Sequence, residues 1–286
     1  MSRLGIIGGS GLYNIDGIRK VKEVSLTTPF GKPSDKFIIG ELDGKEVVFL
    51  PRHGKGHRLL PSEVNYRANV YGMKKLGVTK IISVTACGSL REDFKPLEFV
   101  LPDQFVDRTN QARKMTFFGN GVVGHIAFGD PVCRDTRDRV HNCVKSLGLT
   151  AHNGGNYINM EGPAFSTKAE SKLYRSWGMD IIGMTNMSEA KLAREAEICY
   201  TTLASITDYD CWYESKEEVS MDMVSQNFRL NVENSKKVIK KLIQEIPVER
   251  TCNCADALKF AFATDPKVIP AKTKKDLKLI IGKYIK

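Results

Sequence analysis

The chain of 286 residues contains no apolar run long enough to cross a bilayer, and no charged-then-apolar leader stands ahead of the first apolar segment at Leu4. The expected location is therefore the cytoplasm, with no membrane partner. The seven cysteines are odd in number and scattered along the chain, which argues against the disulfide framework of a small secreted domain. Internal repeats, low-complexity segments and linker-like stretches are lacking as well, so residues 1–286 are expected to form one domain with a sizeable core. A hydrophobic content of 42% and a charged content of 27% describe an ordinary globular protein.

The net charge of +10 invites a nucleic-acid reading, but its distribution weakens that idea. Residues 236–286 hold 13 Lys/Arg against 5 Asp/Glu, which leaves a net of only +2 for the first 235 residues. The excess is a basic C-terminal segment without a recognisable nucleic-acid module, and it reads as a solvated helical face. No nucleic-acid partner is expected. From about residue 250 this extension carries the pair Cys252-Asn253-Cys254, readable as a redox couple or as two free thiols. Two ligands are too few to argue a metal site, and none is expected.

Several apolar runs end in unusual chemistry. Residues 3–7 read as a buried strand entering Gly8-Gly9-Ser10-Gly11, where glycines would let backbone N–H groups approach an anion and Ser10 would add a hydroxyl. The third glycine of a dinucleotide fingerprint is missing, and so is the Lys-Ser/Thr of a P-loop, so a plain turn serves as well. Residues 36–42 and 45–50 flank Asp43-Gly44, a strong hairpin signal. The second of these strands runs into Arg52, His53, Lys55, His57 and Arg58. Arg52 can grip an oxyanion with two N–H groups, and His53 can donate a hydrogen bond or carry charge.

A helix is expected over 62–75, with Ser62 as its cap, and a strand over 79–85 that enters Ala86-Cys87-Gly88-Ser89. Residues 199–206 read as another strand, ending at Thr207-Asp208-Tyr209-Asp210. Alternation along an extended chain puts both carboxylates on one side. Residues 217–246 have helical periodicity, stopped by Pro247. The fold class is α/β: a twisted mixed sheet flanked by helices, with the hairpin supplying an antiparallel pair.

The segments Gly8-Gly9-Ser10-Gly11-Leu12, 28–35 (TPFGKPSD), Pro51-Arg52-His53-Gly54, 85–91 (TACGSLR), Met160-Glu161-Gly162-Pro163, Phe165-Ser166, Ala169-Glu170-Ser171 and 207–212 (TDYDCW) resemble the S-methyl-5′-thioadenosine phosphorylases. These are the trimeric class of the purine nucleoside phosphorylase superfamily. The resemblance runs over roughly residues 3–245. It implies a homotrimer (a hexamer being the other arrangement), no organic cofactor, and phosphorolysis of methylthioadenosine with phosphate as co-substrate. By the same resemblance Ser10, Arg52, His53, Thr85, Ala86 and Thr185 would hold phosphate, and Met184 would contact the ribose. Phe165 and Ser166 would lie against the base. His125, from a neighbouring subunit, would shape the methylthio pocket with Met221 and Val224.

The residue chemistry is consistent with this. Breaking an N-glycosidic bond develops positive charge on the sugar, which an in-line phosphate stabilises. The departing purine needs a proton at N7, which an acid with a burial-raised pKa can give. Asp208 is the candidate donor, with Asp210 accepting from the exocyclic amine. An ionised carboxylate disfavours a 6-oxo purine, so a 6-oxopurine or methylthioinosine phosphorylase is the alternative. Three departures from the family pattern bear on specificity. Asn186 and Ser188 follow Met184-Thr185 where the family usually continues to a Pro-Glu pair, Ala164 replaces a common arginine, and Met221 is larger than the usual branched residue. Asn186 is expected to add polar capacity toward substrate.

Overall fold

The structure, a computed structural model, describes residues 3–9, 12, 14–110, 112–213, 221–247 and 249–286, the side chains of 221–225 excepted. Its strands are β1 (Arg3–Gly8), β2 (Arg19–Val24), β3 (Phe37–Leu42), β4 (Lys45–Pro51), β5 (Val78–Ser89), β6 (Phe99–Leu101), β7 (Gln104–Arg108), β8 (Ala151–Asn153), β9 (Asn156–Met160), β10 (Ile181–Gly183) and β11 (Cys199–Tyr209). Its helices are α1 (Tyr66–Lys75), α2 (Arg134–Ser146), α3 (Lys168–Ser176), α4 (Asn186–Glu195), α5 (Met221–Glu245) and α6 (Ala271–Ile281).

The valine- and isoleucine-rich strands β4, β1, β5 and β11 lie side by side and parallel, as expected of strands covered on both faces. On one face Ile7, Leu50 and Ile81 pack with residues of α1, α4 and α6. On the other, Ile6, Phe49 and Ile82 pack with α2 and α5. The result is a three-layer α/β arrangement around a mixed sheet. The hairpin forms as expected: β3 and β4 are antiparallel across Asp43 (φ 49) and Gly44 (φ 76), a left-handed pair matching the strand twist. The edge strand β2 is mostly charged and exposed, which discourages pairing with another chain.

The sheet branches at β5. This strand pairs with β1 and β11 along its length, while its last residues pair antiparallel with β10, which continues to β9 and β7. Gly88 therefore sits between Ile182 and Asp208. The register of β11 shifts between Ile206 and Asp208, a bulge that re-aims the residues at this strand end.

Three boundaries differ from the sequence reading. Helix α1 starts at Tyr66, capped by the Asn65 side chain accepting from the Ala68 N–H at 3.1 Å. Ser62 lies in a preceding turn closed by Glu63, whose carboxylate accepts from the Leu60 N–H. Strands β5 and β11 run past residues 85 and 206 because each supplies the other with a parallel partner. Residues 217–220 of the expected helix lie outside the described residues.

The C-terminal extension is part of the core. Leu277, Ile280, Ile281 and Ile285 are buried in the same cluster as α1 and α4. Glu197, just ahead of β11, anchors the extension by accepting from the Leu258 N–H (3.2 Å) and the Tyr284 hydroxyl (2.6 Å). Cys252 and Cys254, read from the sequence as an isolated pair, meet Cys133 and Cys199 in a cluster of four thiols. Among the described residues, no helix is long and apolar enough to cross a membrane.

Candidate active site

The carboxyl ends of β1, β4, β5 and β11 lie together, the usual place for a ligand in an open α/β sheet. Gly8 is paired with Pro51, and its carbonyl accepts from the Arg52 N–H at 2.9 Å. Thr85 and Ala86 are level with Ala204 and Ser205. Thr85 is half-buried with its hydroxyl donating to the Ala86 carbonyl, and Ala86 is exposed. Thr185 occupies the N-cap position of α4, where the helix dipole and free N–H groups favour an anion. Ser10 lies outside the described residues.

Arg52 is 3% exposed and is not free to hold an anion with two N–H groups. Its Nε donates to Glu189 Oε1 (2.5 Å), Nη2 to Ser83 Oγ (2.6 Å) and Glu189 Oε2 (3.3 Å), and Nη1 to the Val84 carbonyl (3.1 Å). One Nη1 N–H is left without a protein partner among the described residues, so a single hydrogen bond is what Arg52 can offer. A buried guanidinium needs a counter-charge, and Glu189 supplies it.

His53 also differs from expectation. Its Nδ1 lies 2.8 Å from the Leu59 carbonyl, which can only accept, so Nδ1 carries the proton. Burial and the adjacent Arg52 charge push its pKa down to about 4. Near neutral pH the ring is uncharged, with Nε2 an acceptor suited to the P–OH of hydrogen phosphate.

Asn186 does not face substrate. It is fully buried, and its Oδ1 accepts from the Tyr157 hydroxyl (3.0 Å) and Thr185 Oγ1 (3.2 Å). Its Nδ2 lies within 2.9–3.0 Å of Ser83 Oγ, the Tyr200 hydroxyl and Thr202 Oγ1. Ser83 Oγ and the Tyr200 hydroxyl in turn donate to Glu189. One polar network thus joins Arg52 to Thr185, and Asn186 is its hub. The Tyr157 hydroxyl reaches it by passing so close to Gly183 that a Cβ there would lie 1.9 Å away.

The aspartates occupy the end of β11. The Thr207 hydroxyl donates to Asp208 Oδ1 at 2.5 Å. Burial raises the Asp208 pKa against this hydrogen bond, and the charge of Asp210 raises it further. Asp210 is 8% exposed, and its Oδ2 has no hydrogen-bond partner among the described residues. A buried acceptor of this kind costs free energy until a donor meets it. The pair thus offers one carboxyl biased toward its protonated form and one open acceptor.

The remaining expected residues surround this pair unevenly. Phe165 is 84% exposed while Ser166 is buried, and the Ser166 carbonyl accepts from Cys211 Sγ (3.2 Å), which ties this loop to the β11 end. Met184 is half-buried, with its sulfur against Gly162, whose φ of 70 suits glycine. His125 is exposed, and its backbone N–H donates to the Ala261 carbonyl (2.7 Å), which places it on a segment held by the C-terminal extension. Met221 and Val224 fall in the first turn of α5, with side chains outside the described residues. Further along α5, the Asn227 and Asn231 amides donate to the Thr207 and Ile206 carbonyls (3.1 and 2.8 Å).

Sequence reasoning missed Glu189, Ser83, Arg113 and these two asparagines. Arg113 donates to Glu161 Oε1 (3.1 Å) and to the Glu161 and Met184 carbonyls, so it holds the Glu161 and Met184 loops together. The one usable signal was Arg52 itself, since an arginine ending a buried strand demands a carboxylate somewhere.

The model of the phosphorylase superfamily matches residues 3–244. The S-methyl-5′-thioadenosine phosphorylase of Geobacter sulfurreducens is 58% identical over 282 residues, covering 99% of each chain. That of Koribacter versatilis is 56% identical over 283 residues, covering 99% of this chain and 97% of its own. Among solved structures, a methylthioadenosine phosphorylase from an antarctic soil metagenomic library superposes with a TM-score of 0.92 at 46% identity, covering 98% of both chains. The Schistosoma mansoni methylthioadenosine phosphorylase in complex with adenine gives 0.84 at 38% identity, over 91% of this chain and 96% of that one. The chain belongs to the phosphorylase superfamily and, within it, to the S-methyl-5′-thioadenosine phosphorylases.

Proposed function

We propose that the protein catalyses phosphorolysis of S-methyl-5′-thioadenosine, giving adenine and S-methyl-5-thioribose 1-phosphate. Phosphate, received by Thr85, Ala86, Thr185, His53 and the single free N–H of Arg52, attacks C1′ as the bond to N9 breaks. The electrons of that bond pass to the purine ring, and Asp208 delivers a proton to N7, so that neutral adenine leaves. Phe165 and Ser166 flank the base, and Met184 the ribose. The reaction as proposed takes no cofactor and no metal. A homotrimer completes the site with His125 of a neighbouring copy beside Met221 and Val224. The setting is purine and methionine salvage in the cytoplasm.

The observation that carries this reading is the contrast within the aspartate pair: Asp208 biased toward protonation by burial, Asp210 with an unpartnered buried oxygen. The first suits N7 and the second suits an exocyclic amine. Asp210→Asn, which puts an amide where the exocyclic amine needs an acceptor, tests it. The ratio of kcat/KM for methylthioadenosine over methylthioinosine is expected to fall by about 10- to 100-fold, the equivalent of ~1–3 kcal/mol for one mispaired buried group. An unchanged ratio would overturn the base assignment.

A further inference from the structure

The four-cysteine cluster lies where three separate pieces of chain meet. Cys133 precedes α2, with its N–H donating to the Tyr200 carbonyl at 2.9 Å. Cys199 is the first residue of β11. Cys252 and Cys254 lie on the C-terminal extension, at the cap and within a short 3-10 turn, Asn253–Asp256. All four Sγ atoms fall within 4.8 Å of one another, and Cys199 Sγ and Cys252 Sγ are 3.3 Å apart. Cys133, Cys199 and Cys254 are buried and Cys252 is half-buried.

We propose that Cys133, Cys199, Cys252 and Cys254 form a tetrahedral site for one structural Zn²⁺ ion per chain, clamping the C-terminal extension to the sheet.

Zinc–thiolate bonds of about 2.3 Å set the sulfurs of a tetrahedron about 3.8 Å apart. The cluster needs only small side-chain shifts to reach this spacing. Four sulfurs in mutual proximity, with no carboxylate or imidazole among them, are the donor set that selects zinc over the hard cations. A closed set of four with no open position is the structural rather than the catalytic kind of site.

The surroundings suit the charge. Four thiolates on Zn²⁺ leave a net charge of −2. Lys80, 3% exposed and level with Cys199 on the adjacent strand, places its ammonium in the field of Cys199 and Cys252. It also donates to the Pro247 and Glu249 carbonyls at 2.9 and 3.0 Å, fixing the chain that leads into Cys252. The Arg250 guanidinium, which acts on the same lysine, donates to the Glu197 carbonyl at 2.7 Å. The Asp135 carboxylate also acts on this lysine. The Thr136 hydroxyl donates to Cys133 Sγ at 3.3 Å, an outer contact of the sort that steadies a bound thiolate.

The test uses the full chain expressed with zinc and purified without chelator. Elemental analysis is expected to give one zinc per chain, released when a mercurial has titrated four thiols. Cobalt exchanged into the protein should show the intense visible bands of tetrahedral thiolate coordination. The paired substitutions Cys252→Ser and Cys254→Ser should abolish zinc uptake and expose residues 250–286 to limited proteolysis. Should that variant fail to fold, the metal content and cobalt spectrum of the unaltered chain decide alone. Zinc-free protein that takes up neither metal, another metal at that stoichiometry, or an intact mass showing these cysteines joined as disulfides would overturn the proposal.

Discussion

Replacing Glu189 by glutamine isolates the contact that holds Arg52, at the end of the site proposed for phosphate. Arg52 and Glu189 have side chains 3% and 2% exposed and meet at 2.5 Å. Glutamine keeps the shape and one acceptor but removes the charge, leaving a buried guanidinium without its counter-ion. Breaking a buried pair in this way costs about 3–5 kcal/mol. The Ser83 and Tyr200 hydroxyls that donate to Glu189 also lose a charged acceptor. At about 2–4 °C per kcal/mol for a domain of this size, the melting temperature should drop by roughly 6–20 °C. Paired denaturant and thermal melts measure this, with Asp276→Asn as control. Asp276 pairs with Lys272 on an exposed helical face, and its loss should cost under about 1 kcal/mol. Added phosphate should protect the variant more than the parent, because it supplies negative charge near Arg52. A Glu189→Gln loss no larger than the control's, or equal protection of both proteins by phosphate, would refute the reasoning.

Because burial raises the Asp208 pKa and the proposed mechanism uses its proton, kcat/KM should be highest below that pKa and fall as pH rises through it. Asp208→Asn should remove this alkaline limb in a pH–rate profile, whereas Asp210→Asn should keep it. Asn186→Leu keeps the approximate volume but leaves the buried Tyr157 and Thr185 hydroxyls without the Asn186 Oδ1 acceptor. Denaturant melts should show a loss of about 3 kcal/mol or more, the sum over more than one unsatisfied buried group. A loss below ~1 kcal/mol would mean that Asn186 is not the hub of the network.

The sheet was legible because apolar runs such as residues 3–7, 45–50 and 199–206 are local signals, and Asp43-Gly44 dictates its own turn. The clustering of strand ends was legible for the same reason: glycines, hydroxyls and charges interrupt those runs at Gly8, Arg52, Thr85 and Asp208. What escaped is non-local. Glu189 lies 137 residues from its arginine partner, and nothing near either residue announces the other. Asn186 looks like an added specificity group until Tyr157, Tyr200 and Ser83 are seen to enclose it. Ser62 has the chemistry of a cap, but the turn closed by Glu63 delays the helix to Tyr66. The C-terminal segment reads as solvated because its lysines dominate the composition. Its isoleucines and Leu277 fill the core beside α1 and α4, and only the fold shows Cys252 and Cys254 meeting two distant cysteines.

The most direct measurement is product analysis of purified protein incubated with methylthioadenosine, with and without phosphate. Adenine appearing together with S-methyl-5-thioribose 1-phosphate, and only when phosphate is present, is the expected result. Adenine released equally well without phosphate would make water the nucleophile and contradict the phosphate site. Turnover of methylthioinosine in place of methylthioadenosine would contradict the roles given to Asp208 and Asp210.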